Sequence, residues 1–410
     1  MKIKVILFLI VMALLLHFGN ANLYAAPNEA PDVEWTKTFG GDDRDEGYSV
    51  QQTKDGGYII AGETSSFGAE GRNIWLIKTD AQGNKIWDKT FFAGWNKWLF
   101  PSVQQTTDDG YIIVGSKAYT TEADDLDEAC DVWLIKTDAK GNKLWDKTFD
   151  KNDSDFGDSV QQTSDGGYII KGETEYSTYD DAIWLIKTDG KGNKVWDKTF
   201  KTFIDENGVS YKYFEGGVAQ QTKDGGYIVS GYVYSEDDYD KEGILLFKTD
   251  DKGNKLWEKI FGVVNDESDT ATSVQQTTDG GYIVVGTKSY GNGYPYDDID
   301  VLLIKTDVEG NKEWDKTFSG NNYSSGDFVQ QTKDGGYIIS GTGEDEDRVG
   351  ILLMKTDDKG NKLWDKIFVN GDIDISTSVQ QTKDGGYIVV GSIRTSDDNW
   401  DILLIKVKGE

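Results

Sequence analysis

From residue 33 onward, apolar and polar positions alternate over short runs, and no stretch carries the three-to-four-residue spacing of an amphipathic helix. The first set of runs is SVQQT (49–53), GYIIAG (57–62), NIWLIKT (73–79) and KIWDKTF (85–91). Each is rich in Val, Ile, Trp, Tyr, Phe and Thr and about five to seven residues long, which predicts four β-strands. The set then recurs. Counted from the first glutamine of the QQT phrase, copies begin at Gln51, Gln104, Gln161, Gln220, Gln275, Gln330 and Gln380, a mean step of about 55 residues. That step suits propeller blades or solenoid repeats.

The two ends of the chain decide between these. The seventh copy stops at its third strand, ILLIK (402–406), and lacks the W-D-K-T-F strand. A lone strand of that type, EWTKTF (34–39), stands before the first copy. A solenoid would need distinct caps at its ends, whereas a ring closes by borrowing one strand from the opposite terminus. The expectation is an all-β fold, a single seven-bladed β-propeller of four-stranded blades over residues 33–410, with the N-terminal strand completing the last blade.

The invariant phrases read as scaffold. DGGY, as in Asp55–Tyr58, supplies a tight hairpin between strands one and two, and the second copy keeps the turn with Asp109 in place of the first glycine. DxxGN, as in Asp80–Asn84, supplies the turn between strands three and four. The tryptophan of WDKTF recurs at Trp35, Trp87, Trp145, Trp196, Trp257, Trp314 and Trp364 and is expected to pack between neighbouring blades. Strand direction puts both short turns on one face of the disc. The two–three and four–one connections are long and different in every unit, and they share the other face. Function is expected on that second face, because binding residues concentrate on variable loops held by a rigid frame.

Two residue classes crowd those connections. The aromatic candidates for ligand binding are Trp95 and Trp98 in FFAGWNKWLF (91–100), with Tyr119, Tyr234, Tyr239, Tyr294 and Tyr296. Such rings stack on sugars, pack loops together, or form a protein-binding patch. The carboxylate candidates for a metal are Asp124, Asp125, Asp127, Asp237, Asp238, Asp297, Asp298 and Asp300. Calcium takes six to eight oxygen ligands, which crowded carboxylates supply; a solvated acidic surface has the same composition. No loop carries the EF-hand register.

Residues 1–26 have the layout of a secretory leader, with Lys2 and Lys4 before an apolar run from Val5 to Phe18 and cleavage expected between residues 21 and 26. The expected product is an exported protein, extracellular or periplasmic, without a membrane span. The only histidine, His17, leaves with the leader, and 41 basic residues then face 72 acidic ones, a net charge of −31. Such a surface repels nucleic acid and anionic membranes. Without imidazole, His-dependent nucleophilic pairs and imidazole metal sites are excluded, and no catalytic residue is assigned; glycoside cleavage needs only two carboxylates. The four arginines, Arg44, Arg72, Arg348 and Arg394, fall in the first and last two units.

The unit WxKTFGG…SVQQTxDGGYIIxG…WLIKTDxxGNKxW resembles the repeats of secreted bacterial and archaeal β-propeller proteins over essentially the whole chain after the leader. KTDAKGNKLW (136–145) is distantly similar to the signature of quinoprotein-type, tryptophan-docking propellers. The resemblance implies the fold and names no activity. The functional expectation is a monomeric, exported, acidic propeller that binds carbohydrate or protein, with calcium as a candidate cofactor. The alternatives are a glycoside hydrolase-like enzyme using paired carboxylates, and a cell-envelope scaffold or adhesion module.

Overall fold

The structure, a computed structural model, describes residues 29–409 except 95–98, 119–128, 153, 176–180, 206, 214–215, 236–241, 263–266, 291–297, 321–322, 346–347, 372–373 and 397–398. For Glu267, Ser268, Asp298, Asp374 and Ser376 it describes the backbone alone. The chain forms seven antiparallel sheets of at least four strands, with no helix among the described residues. The innermost strands are Asp45–Gln52, Ser102–Gln105, Ser154–Gln162, Ala219–Gln221, Glu267–Gln276, Phe328–Gln331 and Asp374–Gln381. They stand in sequence order around an axial channel of about 250 Å³, lined by Ser49, Val50, Gln51 and their counterparts. The molecule is a seven-bladed β-propeller, as the sequence predicts.

The ring closes as expected. Strand Val33–Phe39 pairs antiparallel with Trp400–Val407, with Trp35 opposite Lys406 and Phe39 opposite Ile402. One departure is an added hairpin, Thr202–Ile204 with Ser210–Tyr213, whose second strand pairs with Tyr227–Ser235 of blade four. The sequence predicts a long four–one connection here. Phe203, Tyr211 and Tyr213 are buried in it, so an alternation of aromatic and polar residues too short to stand alone folds by packing on the blade.

The hydrophobic core is divided into seven clusters, each shared by two neighbouring blades; Val50, Tyr58, Ile60, Trp75 and Ile77 of blade one, for instance, pack on Ile388, Val390, Ile402 and Leu404 of blade seven. Three sets of polar and aromatic contacts then repeat at every joint. The main-chain N–H of the second glutamine in each QQT donates to the side-chain oxygen of the first glutamine in the preceding blade, at 2.6–2.9 Å, so that seven bonds circle the axis. A second circle runs the other way, from the amide after each QQT to the second glutamine of the following blade, at 2.8–2.9 Å. At the rim, each WDKTF tryptophan meets the DGGY tyrosine of the next blade with ring centroids 5.7–6.1 Å apart.

Within each blade a buried lysine locks the two turns together. Lys78, Lys136, Lys187, Lys248, Lys305, Lys355 and Lys406 pair with the aspartate of their own DGG turn at 2.8–3.2 Å. The same ammonium donates to the carbonyl at the end of the third strand, at 2.7–3.1 Å. A buried charge needs such full satisfaction, which explains why the lysine of WLIK never varies within this chain.

The turn glycines separate into two kinds. Gly56 sits at φ +88 with open space around it, and in the second copy Asp109 occupies the same position at φ +68. Gly83 sits at φ +74, and a Cβ there would stand 2.6 Å from Cζ3 of Trp35. Its counterparts Gly141, Gly192, Gly253, Gly310 and Gly360 meet the preceding blade's tryptophan at 2.5–2.8 Å. Gly56→Ala is therefore expected to cost only the left-handed backbone term, about 1–2 kcal/mol. Gly83→Ala adds overpacking against Trp35, for a total of about 2–4 kcal/mol. Urea denaturation of the two variants checks this, and equal losses would remove the docking argument.

Candidate functional site

On the loop face, blade one gathers a charged and aromatic cluster at the ends of three strands. Glu46 and Glu63 are direct cross-strand partners, so their side chains stand side by side on one face of the sheet. Arg44 pairs with Glu46 at 2.6 Å, and Arg72 pairs with Glu63. The Tyr48 hydroxyl donates to Glu46 Oε2 at 3.0 Å, while the Tyr48 ring meets Phe100 edge-on at 5.3 Å. The Arg44 guanidinium also lies 5.8 Å from the ring centroid of Trp400, across the closing joint. Phe100 is 44% exposed and holds φ +37, an uncommon conformation for a bulky side chain and one that marks a strained loop.

The two carboxyls have been driven apart in acidity. Glu63 is almost fully buried, and that burial, with the neighbouring charge of Glu46 and in spite of Arg72, pushes its pKa up to about 8. Burial also opposes charge on Glu46, but hydrogen bonds from Arg44, Glu63 and Tyr48 outweigh it and hold its pKa below the usual carboxylate range. At neutral pH the pair keeps one proton, on Glu63. The Nε of Arg44 is buried without a hydrogen-bond partner. The cluster therefore offers a proton donor beside a fixed carboxylate, two guanidinium groups and an exposed aromatic ring.

A second cluster lies on the same face at blades three and four. Lys171 takes a position filled by Ala, Val or Ser in the other blades and is fully buried. Its ammonium is bound by Asp158 at 2.6 Å, Glu173 at 2.8 Å and the Tyr213 hydroxyl oxygen at 2.9 Å. Tyr213 donates to Glu173, and the Gly216 amide reaches the same carboxylate at 2.8 Å. These bonds attach the added hairpin to blade three, so this lysine is a fastening.

Most residues singled out from the sequence are not among the described ones. Trp95, Trp98, Tyr119, Tyr239, Tyr294, Tyr296, Asp124, Asp125, Asp127, Asp237, Asp238 and Asp297 fall outside the described residues. Asp298 begins the strand Asp298–Thr306. Asp300, on the same strand, is 7% exposed and accepts the Ser319 hydroxyl at 2.7 Å. Tyr234, expected in a loop, is instead 7% exposed on the strand Tyr227–Ser235, opposite Lys212 of the added hairpin. That hairpin extends the sheet past the length of its siblings and turns an expected platform into core. Sequence reasoning missed Glu46, Glu63, Tyr48, Arg44 and Arg72. A usable signal was there: two of the four arginines of the whole chain sit in one unit, each near a glutamate.

No model of a protein family matches the chain, and no curated protein sequence does. Solved structures do. A family 25 polysaccharide lyase, an ulvan lyase bound to -[GlcA(1-4)Rha3S]-, superposes with a TM-score of 0.59 at 11% identity, covering 92% of this chain and 97% of its own. The polysaccharide lyase Uly1 gives 0.59 at 11% identity over 96% of this chain and 94% of its own. An α-L-arabinanase of Penicillium chrysogenum, complexed with arabinobiose, gives 0.52 at 11% identity over 92% and 98%. What this chain shares with them is the propeller fold.

Proposed function

We propose that the protein is a carbohydrate-active propeller that takes a polysaccharide on its loop face, with Glu63 as the proton donor for glycosidic cleavage. The observation that carries this reading is the Glu46–Glu63 pair, whose environments force one carboxyl to stay protonated at neutral pH while its neighbour stays charged. Paired titratable groups separated in this way are the usual equipment for acid–base chemistry, and a raised carboxyl is what protonates a leaving glycosidic oxygen. The exposed Phe100 ring beside Tyr48 gives a sugar ring a surface to stack on. Glycan-active enzymes among the proteins of like fold support the same reading. The leader-like residues 1–26 fit an exported protein that meets its substrate outside the cytoplasm.

Charge narrows the substrate. The chain carries a net charge of −29, and both guanidiniums of the cluster are already engaged by Glu46 and Glu63. With Glu63 protonated, two guanidiniums face the single charge of Glu46, so among the described residues the cluster itself is positive. The acidic chain around it repels polyanions, and a glycan with few acidic groups is the better fit. The internal pairing also favours a second reading, in which the cluster holds the glycan-binding surface rigid and no bond is cleaved.

Reducing-end release from a panel of neutral and uronate-containing polysaccharides tests the proposal. Glu63→Gln is expected to lower turnover by about 10²–10⁴-fold, the usual range for a lost general acid, while glycan binding persists. In the unmodified protein, activity should fall as pH rises through about 8, where Glu63 loses its proton. Full activity in Glu63→Gln would sink the catalytic role. Binding without cleavage would leave the second reading, and no binding to any member of the panel would end both.

A further inference from the structure

Between blades two and three, three carboxylates meet away from the Glu46–Glu63 cluster. Asp131 is the second residue of the third strand of blade two, Asp155 lies on the first strand of blade three, and Asp150 lies in the connection joining them. One oxygen from each lies within 4.8 Å of the others. Asp155 is wholly buried and Asp131 is 8% exposed, while Asp150 is open to solvent. Asp155 Oδ2 accepts the amides of Lys151 at 2.6 Å and Asn152 at 3.2 Å and the Thr174 hydroxyl stands against the same carboxylate, but its Oδ1 is buried without a well-formed hydrogen bond. The adjacent ammonium does not answer that charge: Lys151 Nζ is bound to Asp197 at 2.9 Å and lies over the Trp184 ring. The thiol of Cys130 is turned to the Asp155 carbonyl. A buried carboxylate oxygen without a donor is costly unless something positive sits against it.

Two of its three positions recur at another joint, where Gly40 stands in place of Asp150. Asp155 stands six residues before Gln161, as Asp45 does before Gln51; Asp131 stands five residues before Lys136, as Asp401 does before Lys406. Between blades seven and one, Asp45 is wholly buried, and its Oδ2 accepts the Gly41 amide at 2.8 Å and the Ser66 hydroxyl at 2.7 Å. Its Oδ1 has no partner, and neither has the Oδ1 of Asp401 or of Asn399, all three buried. Gly40 is held so close that a Cβ on it would lie 1.8 Å from Asp401 Oδ1, so the backbone wraps tightly around this carboxylate. Two joints that share this register, each with an unanswered oxygen on the buried aspartate of the first strand, point to a ligand common to both.

We propose that the protein binds a divalent cation with the chemistry of calcium at each of these joints, through Asp131, Asp150 and Asp155 at one and Asp45, Asp401 and Asn399 at the other. Every donor is an oxygen, which suits a hard cation. Calcium–oxygen distances of about 2.3–2.6 Å allow ligands on opposite sides of one ion to stand up to about 5 Å apart, matching the carboxylate triad; magnesium, at about 2.0–2.1 Å, demands a tighter cage. Water and backbone carbonyls complete the six to eight ligands. Bound at the joints, the ion ties one blade to the next.

The test uses the full chain, stripped with chelator and titrated with calcium chloride by calorimetry, with thermal melting in parallel. Two binding events and a raised melting temperature are expected, since the ion binds the folded state alone. Asp150→Asn, at an exposed position that folding does not depend on, should remove or strongly weaken one event. Asp45→Asn should remove the other, and Asp155→Asn should repeat the effect of Asp150→Asn. No heat and no shift in melting at 5 mM calcium would overturn the proposal. So would an unchanged pair of events in Asp150→Asn and Asp45→Asn, which would place any calcium elsewhere on the acidic surface.

Discussion

Deleting residues 29–39 is expected to lower the melting temperature by more than about 10 °C, and removing seven residues from the acidic segment 119–128 by far less. The strand Val33–Phe39 is the outermost strand of blade seven, and losing it strips the ladder from Ile402 to Val407. It also removes Trp35 from its contact with Tyr58 at 5.8 Å, and with it part of the apolar cluster shared by blades seven and one. Leaving Leu403, Ile405 and Val407 under a missing strand costs far more than loop closure, whose entropy changes slowly with length. An opened ring further presents an unpaired edge, so the shortened protein should also aggregate. Equal melting temperatures for the two deletions would mean that the N-terminal strand contributes nothing to closure.

Acid should unfold this protein in a narrow window. Seven turn aspartates, Asp55, Asp108, Asp165, Asp224, Asp279, Asp334 and Asp384, all sit below their ordinary pKa. Partial burial opposes the charge, but the QQT threonine, the following glycine amide and the buried lysine outweigh it, and Asp165 falls to about 2. A carboxylate whose folded pKa lies below its unfolded value of about 3.9 stabilises the fold fully above that value. That stability is lost as pH falls from about 4 toward 2. Because all seven shifts have the same sign, melting temperature should drop steeply below pH 4. As pH falls from 6 to 4.5 it should instead rise modestly, since Glu63 and Asp327 are already protonated in the folded state there, an advantage that stops growing once the unfolded chain takes up protons too. Asp165→Asn should already melt lower at pH 6 and show a shallower acid drop. An unchanged melting temperature at pH 3 would show that the lysine–aspartate pairs are incidental.

The fold was legible because its determinants repeat. QQT, DGGY, DxxGN and WDKTF each recur at a fixed register, and each turns out to be half of a contact whose other half is another repeated phrase: Trp35 against Gly83 and Tyr58, Gln51 against Gln105. A contact made six or seven times leaves as many copies of its signature. The site was far less legible for the opposite reason. Glu46, Glu63 and Arg72 meet only once, across a strand pair, and the two arginines of this unit mark the neighbourhood without distinguishing Glu63 from acids such as Glu70 until the sheet buries it. Aromatic residues misled in the same way. Tyr234 looks like a loop residue until a hairpin from the preceding connection adds a strand beside it. Burial of single residues is set by tertiary neighbours, and periodicity carries no record of them.

The lysine–aspartate locks are chemically the same in all seven blades, and the tryptophan–tyrosine contacts and paired glutamine circles at all seven joints; the first and last strands of the ring meet where the Lys408 amide donates to the Asp32 carbonyl at 3.0 Å. The gap between them occupies the place of an ordinary three–four turn. The disc therefore has no privileged beginning. Joining the ends with a short linker and cutting the chain at Asp138–Asn142 or at another DxxGN turn would give a circular permutant whose ring closes with the same joints. Likewise a blade could be moved, copied or exchanged without rewriting the surfaces it meets. Only the loops would register the change, so a protein of this kind can shuffle what it recognises while the wheel that carries it stays the same.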